Sequence, residues 1–172
     1  MTSPTAASAV AAPLDPTATT PALTADQFRR HWQAHRRLSR RMIDAFPEDQ
    51  LFSFTLGGMR PYAALAMEMI GMAAPVVHGV ATGEWKYETP KMPATKAEIL
   101  RLWDETTAEI ERLWSTLTPE RFQTVDRAFG QWEGPGYQTI WYALDNEIHH
   151  RGQGYVYLRA LGVEPPAFWE RD

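Results

Sequence analysis

The chain has no cysteine among its 172 residues. Disulfides, thiolate nucleophiles and cysteine-based zinc sites are therefore excluded, and any metal must be held by His, Asp, Glu or amide oxygen. Positive charge is not in excess either. The 17 Lys and Arg stand against 21 Asp and Glu, a formal net charge of −4 with a pI near 5.7. A general nucleic-acid binder needs a basic field to offset phosphates, so no nucleic-acid partner is expected. No run is expected to serve as the roughly 18-residue apolar span that a membrane helix requires. Phosphate-loop, dinucleotide-fingerprint and nucleophile-elbow patterns are missing, and with them any sign of an organic cofactor. There is no repeat at a solenoid period and no credible strand pattern. Residues 1–23 are rich in Ala, Pro, Thr and Ser and lack both a basic n-region and a sustained apolar core. They read as a flexible tail rather than a secretory signal, which points to a cytoplasmic protein.

What is present is helical. With 44% hydrophobic and 22% charged residues, one globular domain is expected over 24–172. A first helix opens at Thr24, with Gln27 three residues on completing a capping box, and stops before Pro47. Phe28, Trp32, His35, Leu38, Met42 and Phe46 form its inner stripe. Its arginines, Arg29, Arg30, Arg36, Arg37, Arg40 and Arg41, read as a solvated face. A second helix starts near Pro61 and runs toward Val80, with Pro75 expected to kink or end its first part. Met67, Met69 and Met72 on it read as core or interface packing. His78, ten residues after Glu68, reads as a loop or pocket-edge histidine.

The third helix carries the capping box Thr95-Lys96-Ala97-Glu98 and then Ile99, Leu102, Trp103, Thr106, Ile110, Leu113, Trp114 and Leu117 at helical spacing. Thr118-Pro119-Glu120 restarts a short turn. Val125 to Gly136 is aperiodic and reads as a crossing loop. Trp132 and Trp141 beside it read as core packing. The fourth helix spans Tyr137 to Leu161, with Gly162 as terminator. The fold class is therefore all-α, a four-helix bundle with a long crossover loop before the last helix.

Chemistry concentrates on the fourth helix. Asn146 and His150 are four apart, and so are Asp145 and His149, so either pair projects from one side and can form half of a metal or polar-ligand site. Glu147 and Arg151 have the same spacing and read most simply as a surface ion pair. One helix face holds Ile140, Leu144, Ile148, Tyr155 and Leu158, and another holds Thr139, Tyr142, Ala143, Asn146, His150, Gln153 and Tyr157. Two buriable faces on one helix predict a homodimer or a pocket.

Two segments are similar to the DinB/YfiT family of small bundle proteins. Gly58-Met59-Arg60-Pro61-Tyr62-Ala63-Ala64-Leu65-Ala66-Met67-Glu68 resembles the family's second-helix opening, which ends in a metal-binding His. Asn146-Glu147-Ile148-His149-His150-Arg151-Gly152-Gln153 resembles its His-x-x-x-His-Arg-Gly-Gln stretch. The resemblance places the three metal ligands at Glu68, Asn146 and His150, of which only His150 keeps the usual residue. It implies a divalent ion (zinc, nickel or manganese) and a metal-dependent transferase or hydrolase acting on a small molecule or a low-molecular-weight thiol, with Tyr142 and Gln153 orienting the ligand. It also implies a stress- or DNA-damage-inducible protein. Two altered ligand positions point instead to a non-catalytic dimeric bundle protein, in which Glu68, Asn146 and His150 satisfy one another without metal.

Overall fold

The computed structural model describes residues 23–88 and 90–172. The expected tail therefore lies almost wholly outside the described residues. The elements in chain order are α1 (Ala25–Asp44), α2 (Glu48–Ser53), α3 (Tyr62–Thr82), α4 (Lys96–Trp114), α5 (Pro119–Gln123), β1 (Val125–Ala128), β2 (Trp132–Pro135) and α6 (Gly136–Ala160). Both capping boxes form. Thr24 Oγ accepts the Gln27 N–H at 3.1 Å while Gln27 Oε1 accepts the Thr24 N–H at 2.8 Å, and Thr95 and Glu98 repeat the exchange on α4. Each cap satisfies helix-end donors that nothing in the helix can reach, worth roughly 1 kcal/mol. At its other end α6 stops as its sequence predicts, with Gly162 at φ 76 and the Val163 N–H returning to the Leu158 carbonyl.

α3 and α1 each pack against both α4 and α6, so the four long helices form a ring in the order α1, α4, α3, α6. α4 and α6 then lie diagonally across the bundle, and the chain between them must cross its end. Val125 to Gly136 makes that crossing, but as an antiparallel hairpin instead of the expected loop, with Val125 paired to Pro135 and Ala128 to Trp132. Asp126 anchors it by accepting from Trp85 Nε1 at 3.2 Å and Arg121 Nη2 at 3.3 Å. Arg121 also donates to the Val80 carbonyl, and to the Gly79 carbonyl that already accepts the Gly83 N–H, at the C-terminal end of α3. Trp132 is 63% exposed and Trp141 45%, so neither is the core residue expected of it.

α3 is unbroken through Pro75. By length and composition it is apolar enough to cross a membrane, contrary to the reading of the sequence, and 67% of that window is buried among its neighbours. A helix enclosed by α4 and α6 has few positions left for polar residues, which accounts for its composition. Met67 and Met69 are buried as expected.

The largest departure from the sequence reading is a set of buried charges. Arg36, assigned to a solvated face, is 0% exposed, and Glu147 and Arg151, assigned to a surface pair, are 2% and 6% exposed. Glu147 reaches from α6 to α1, where it accepts from Ser39 Oγ at 2.7 Å and Trp32 Nε1 at 3.1 Å. Arg36 Nη1 stands 3.5 Å from the same carboxylate and Arg151 Nη1 3.9 Å. Arg36 lies flat on the Trp103 ring of α4 at 3.6 Å and donates to Thr107 and the Trp103 carbonyl. Arg151 donates to Ser39 Oγ at 3.0 Å and faces His35 Nδ1 at 2.8 Å. Glu147 thus ties α6 to α1, and Arg36 carries the link on to α4.

Removing that carboxylate strands two buried guanidinium groups. Glu147→Ala is expected to cost about 3–5 kcal/mol in equilibrium denaturant unfolding. Glu105→Ala, which breaks the exposed Arg101–Glu105 pair, is expected to cost no more than about 0.5 kcal/mol. Comparable losses in the two variants would contradict the role given to Glu147.

Candidate functional site

Glu68 sits two turns into α3, and Asn146 and His150 sit one turn apart on the face of α6 that meets it. Close approach of these helices depends on Gly154, where a Cβ would lie 2.4 Å from Tyr62 Cε2 and 2.7 Å from Met42 Cε. Glu68 Oε1 accepts from His150 Nε2 at 3.0 Å and from Asn146 Nδ2 at 3.2 Å. Its other oxygen accepts from Arg60 Nη2 at 2.5 Å. Arg60 belongs to the loop before α3 and is held there by the Tyr157 hydroxyl, which donates to its carbonyl at 2.8 Å. On the far side of the imidazole, Gln153 Oε1 stands 2.7 Å from His150 Nδ1. With Nε2–H donating to Glu68, this contact needs either a second ring proton or a Gln153 amide turned to present its N–H.

Burial works to raise the pKa of Glu68, but the hydrogen bonds from Arg60, His150 and Asn146 outweigh it and hold the group down to about 2. Glu68 is therefore a carboxylate throughout the neutral range. The sequence reading brought Glu68, Asn146, His150 and Gln153 together, and so does the fold. It gave no role to Arg60, although an arginine directly before the helix-opening Pro61 is well placed to return over the first turns of α3. Tyr142 does not join the site, its side chain being 63% exposed. The alternative pair, Asp145 and His149, faces away from Glu68 and is exposed. His78 lies within α3, not in a loop, and its Nδ1 stands 3.0 Å from the Glu84 carbonyl.

The donor set can be tested against a divalent ion. Glu68 Oε1 and His150 Nε2 stand 3.0 Å apart, so both would turn to one ion in place of the hydrogen bond between them. Asn146 Oδ1 is buried and has no hydrogen-bond partner among the described residues, although buried amide oxygens ordinarily find one. Arg60 competes for the carboxylate from a side chain that is 55% exposed. One carboxylate, one amide oxygen and one imidazole fit a hard or borderline divalent ion. No cluster of three His, Cys, Asp or Glu side chains occurs among the described residues, because the third donor here is an amide.

No curated protein matches the chain. Solved structures share its fold, two DinB-like proteins among them. A DinB-like protein from Bacillus subtilis is 17% identical with a TM-score of 0.69, the match covering 85% of this chain and 99% of that one. A DinB-like protein from Bacillus cereus is 22% identical with a TM-score of 0.71, over 85% of this chain and 98% of that one. The family model described as the DinB family matches residues 18–172. With the bundle, the crossover and this match spanning nearly all of it, the chain belongs to the DinB family.

Proposed function

We propose that Glu68, Asn146 and His150 form a single divalent-ion site and that the chain is a metal-dependent transferase or hydrolase acting on a small molecule or low-molecular-weight thiol in the cytoplasm. The observation that carries this reading is the buried Asn146 Oδ1, without a partner among the described residues, beside an ionised carboxylate and an imidazole. When bound, an ion at such a site supplies Lewis acidity, polarising a substrate oxygen or activating water or a thiol. Glu68 supplies the compensating charge, and Asn146 a neutral and weaker oxygen. Gln153 holds the His150 ring in the plane that aims Nε2 at Glu68. Arg60, once displaced from Glu68, is left at the rim to meet an anionic part of a substrate. Stress- or damage-induced expression fits this reading as a matter of when the protein is made, with no part in binding nucleic acid.

The Arg60–Glu68 ion pair favours a second reading. If Arg60, Asn146 and His150 already satisfy the carboxylate, the bundle is a non-catalytic binding or structural protein with a degenerate site. Metal content of protein purified without an affinity tag, followed by calorimetric titration with zinc, nickel and manganese, separates the two. Saturable binding of one ion per chain is expected, lost in Glu68→Ala and strengthened at least about tenfold in Asn146→His, since imidazole is the better donor. Absence of binding in the native chain would select the metal-free reading, and unchanged affinity in Glu68→Ala would overturn the ligand set.

We also propose a homodimer. The N-terminal half of α6 exposes Tyr137, Trp141 and Tyr142, an aromatic surface that one copy of the bundle leaves uncovered. A twofold contact through this surface would bury the same residues on both copies. Light scattering at micromolar concentration is expected to give twice the chain mass, and Tyr142→Glu to give the monomer. A monomeric native chain would contradict the proposal.

A further inference from the structure

Of the chain's fourteen arginines, four have no carboxylate within ion-pair distance among the described residues: Arg37, Arg41, Arg159 and Arg171. All four lie along one seam, where the C-terminal segment after α6 returns over α6 and α1. Arg37 and Arg41 donate to the Arg171 and Glu170 carbonyls, Arg171 reaches His35, and Arg159 lines a groove of about 540 Å³ beside that segment. Buried Arg151 lines the same groove. The same segment carries Glu164, Glu170 and Asp172, yet none of them stands within ion-pair distance of these four arginines among the described residues.

Arg36 and Arg151 share the single carboxylate of Glu147, at 3.5 and 3.9 Å, so the interior behind the groove holds one positive charge more than it neutralises. His35 faces guanidinium donors at both ring nitrogens, Arg151 Nη2 at 2.8 Å and Arg171 Nη1 at 2.9 Å. Burial, followed by the charges of Arg151, Arg171 and His31, holds the His35 pKa at about 3, so the ring is neutral and accepts at one nitrogen at most. One guanidinium N–H is left over, from Arg151 or from Arg171, of which only Arg151 lines the groove. The rest of the groove is chiefly apolar, with Ile148, Pro165, Phe168 and Trp169 along it, and Glu164, the one acid lining it, is exposed.

We propose that this groove binds an organic carboxylate, its charge met by the exposed guanidinium of Arg159 with the buried charge of Arg151 behind it, and its apolar body lying against Ile148, Pro165 and Phe168. A planar carboxylate matches the two-pronged donor edge of a guanidinium, and a low-polarity wall strengthens that contact. Small-molecule sites generally combine a mostly apolar lining with a few placed polar groups of this kind. Ile148, Gly152 and Tyr155 reach the groove from a different side of α6 than Asn146, His150 and Gln153, so this site is separate from the one at Glu68 and does not depend on it.

Phenylacetate and phenylacetamide, titrated into the full-length protein and followed by calorimetry and by backbone amide shifts, provide the test. Phenylacetate is expected to bind saturably, shifting residues 148–169, and the uncharged amide about tenfold more weakly or not at all. Arg159→Gln, at an exposed position, is expected to weaken phenylacetate about tenfold. Gly152→Leu fills the groove at a helix position where an added Cβ meets nothing within 4 Å. It is expected to abolish binding while the melting temperature stays level or rises, because leucine is the better helix former. Equal binding of acid and amide, no saturable binding of phenylacetate, or binding indifferent to both substitutions would overturn the proposal.

Discussion

A carboxylate placed out of reach of water must be met by hydrogen bonds and opposite charge, and in this bundle that requirement falls on Glu147. Its partners come from α1: Ser39, Trp32 and Arg36. Meeting them sets the rotation of α6 about its own axis. Once Glu147 and Arg151 point at α1, helical geometry turns Asn146, His150 and Gln153 toward α3 and leaves Ile148, Gly152 and Arg159 outside. The position of Glu68 opposite His150, and the groove under the C-terminal segment, both follow from that rotation.

Apolar packing alone would not specify it as sharply. Ile140, Leu144 and Leu158 are buried on the α1 side of α6 and Ala143 and Tyr157 on the α3 side, and a helix with apolar residues on two sides can turn without losing much burial. A misplaced charge is another matter, because leaving one buried and unpaired costs several kcal/mol. Gly154 and Gly136 act with this constraint. The first lets α6 close on Tyr62, and the second lets α6 begin against the end of α3, where a Cβ would lie 2.5 Å from Val80 Cγ1 and 2.7 Å from the Arg121 carbonyl.

The parts of this arrangement that were legible in the sequence are those governed by local chemistry. Thr24 with Gln27 and Thr95 with Glu98 announce helix starts because the exchanged hydrogen bonds lie within four residues. One-turn spacing put Asn146 and His150 on a common face, and the family resemblance supplied Glu68 on another helix. The buried charges were not legible in the same way, since Arg36 stands in a basic run whose other members are not fully buried, and its burial depends on Trp103 and Glu147 far along the chain. A signal was present nonetheless: Arg36 lies one turn after Trp32, on its stripe. The hairpin escaped because strands of four residues, half of them exposed, carry no readable alternation. The partner of Glu68 at Arg60 escaped because it reaches over from a loop.

The shared role of Glu147 is tested most directly by a double-mutant cycle of Glu147→Gln and Arg36→Met, with unfolding free energies measured for the native chain, both single variants and the pair. A coupling of about 1–3 kcal/mol is expected, the double variant losing less than the sum of the two singles, because Glu147→Gln leaves Arg36 without its counter-charge and Arg36→Met removes that stranded charge. Additivity within about 0.5 kcal/mol would contradict it, and would mean that the orientation of α6 is set by apolar packing instead.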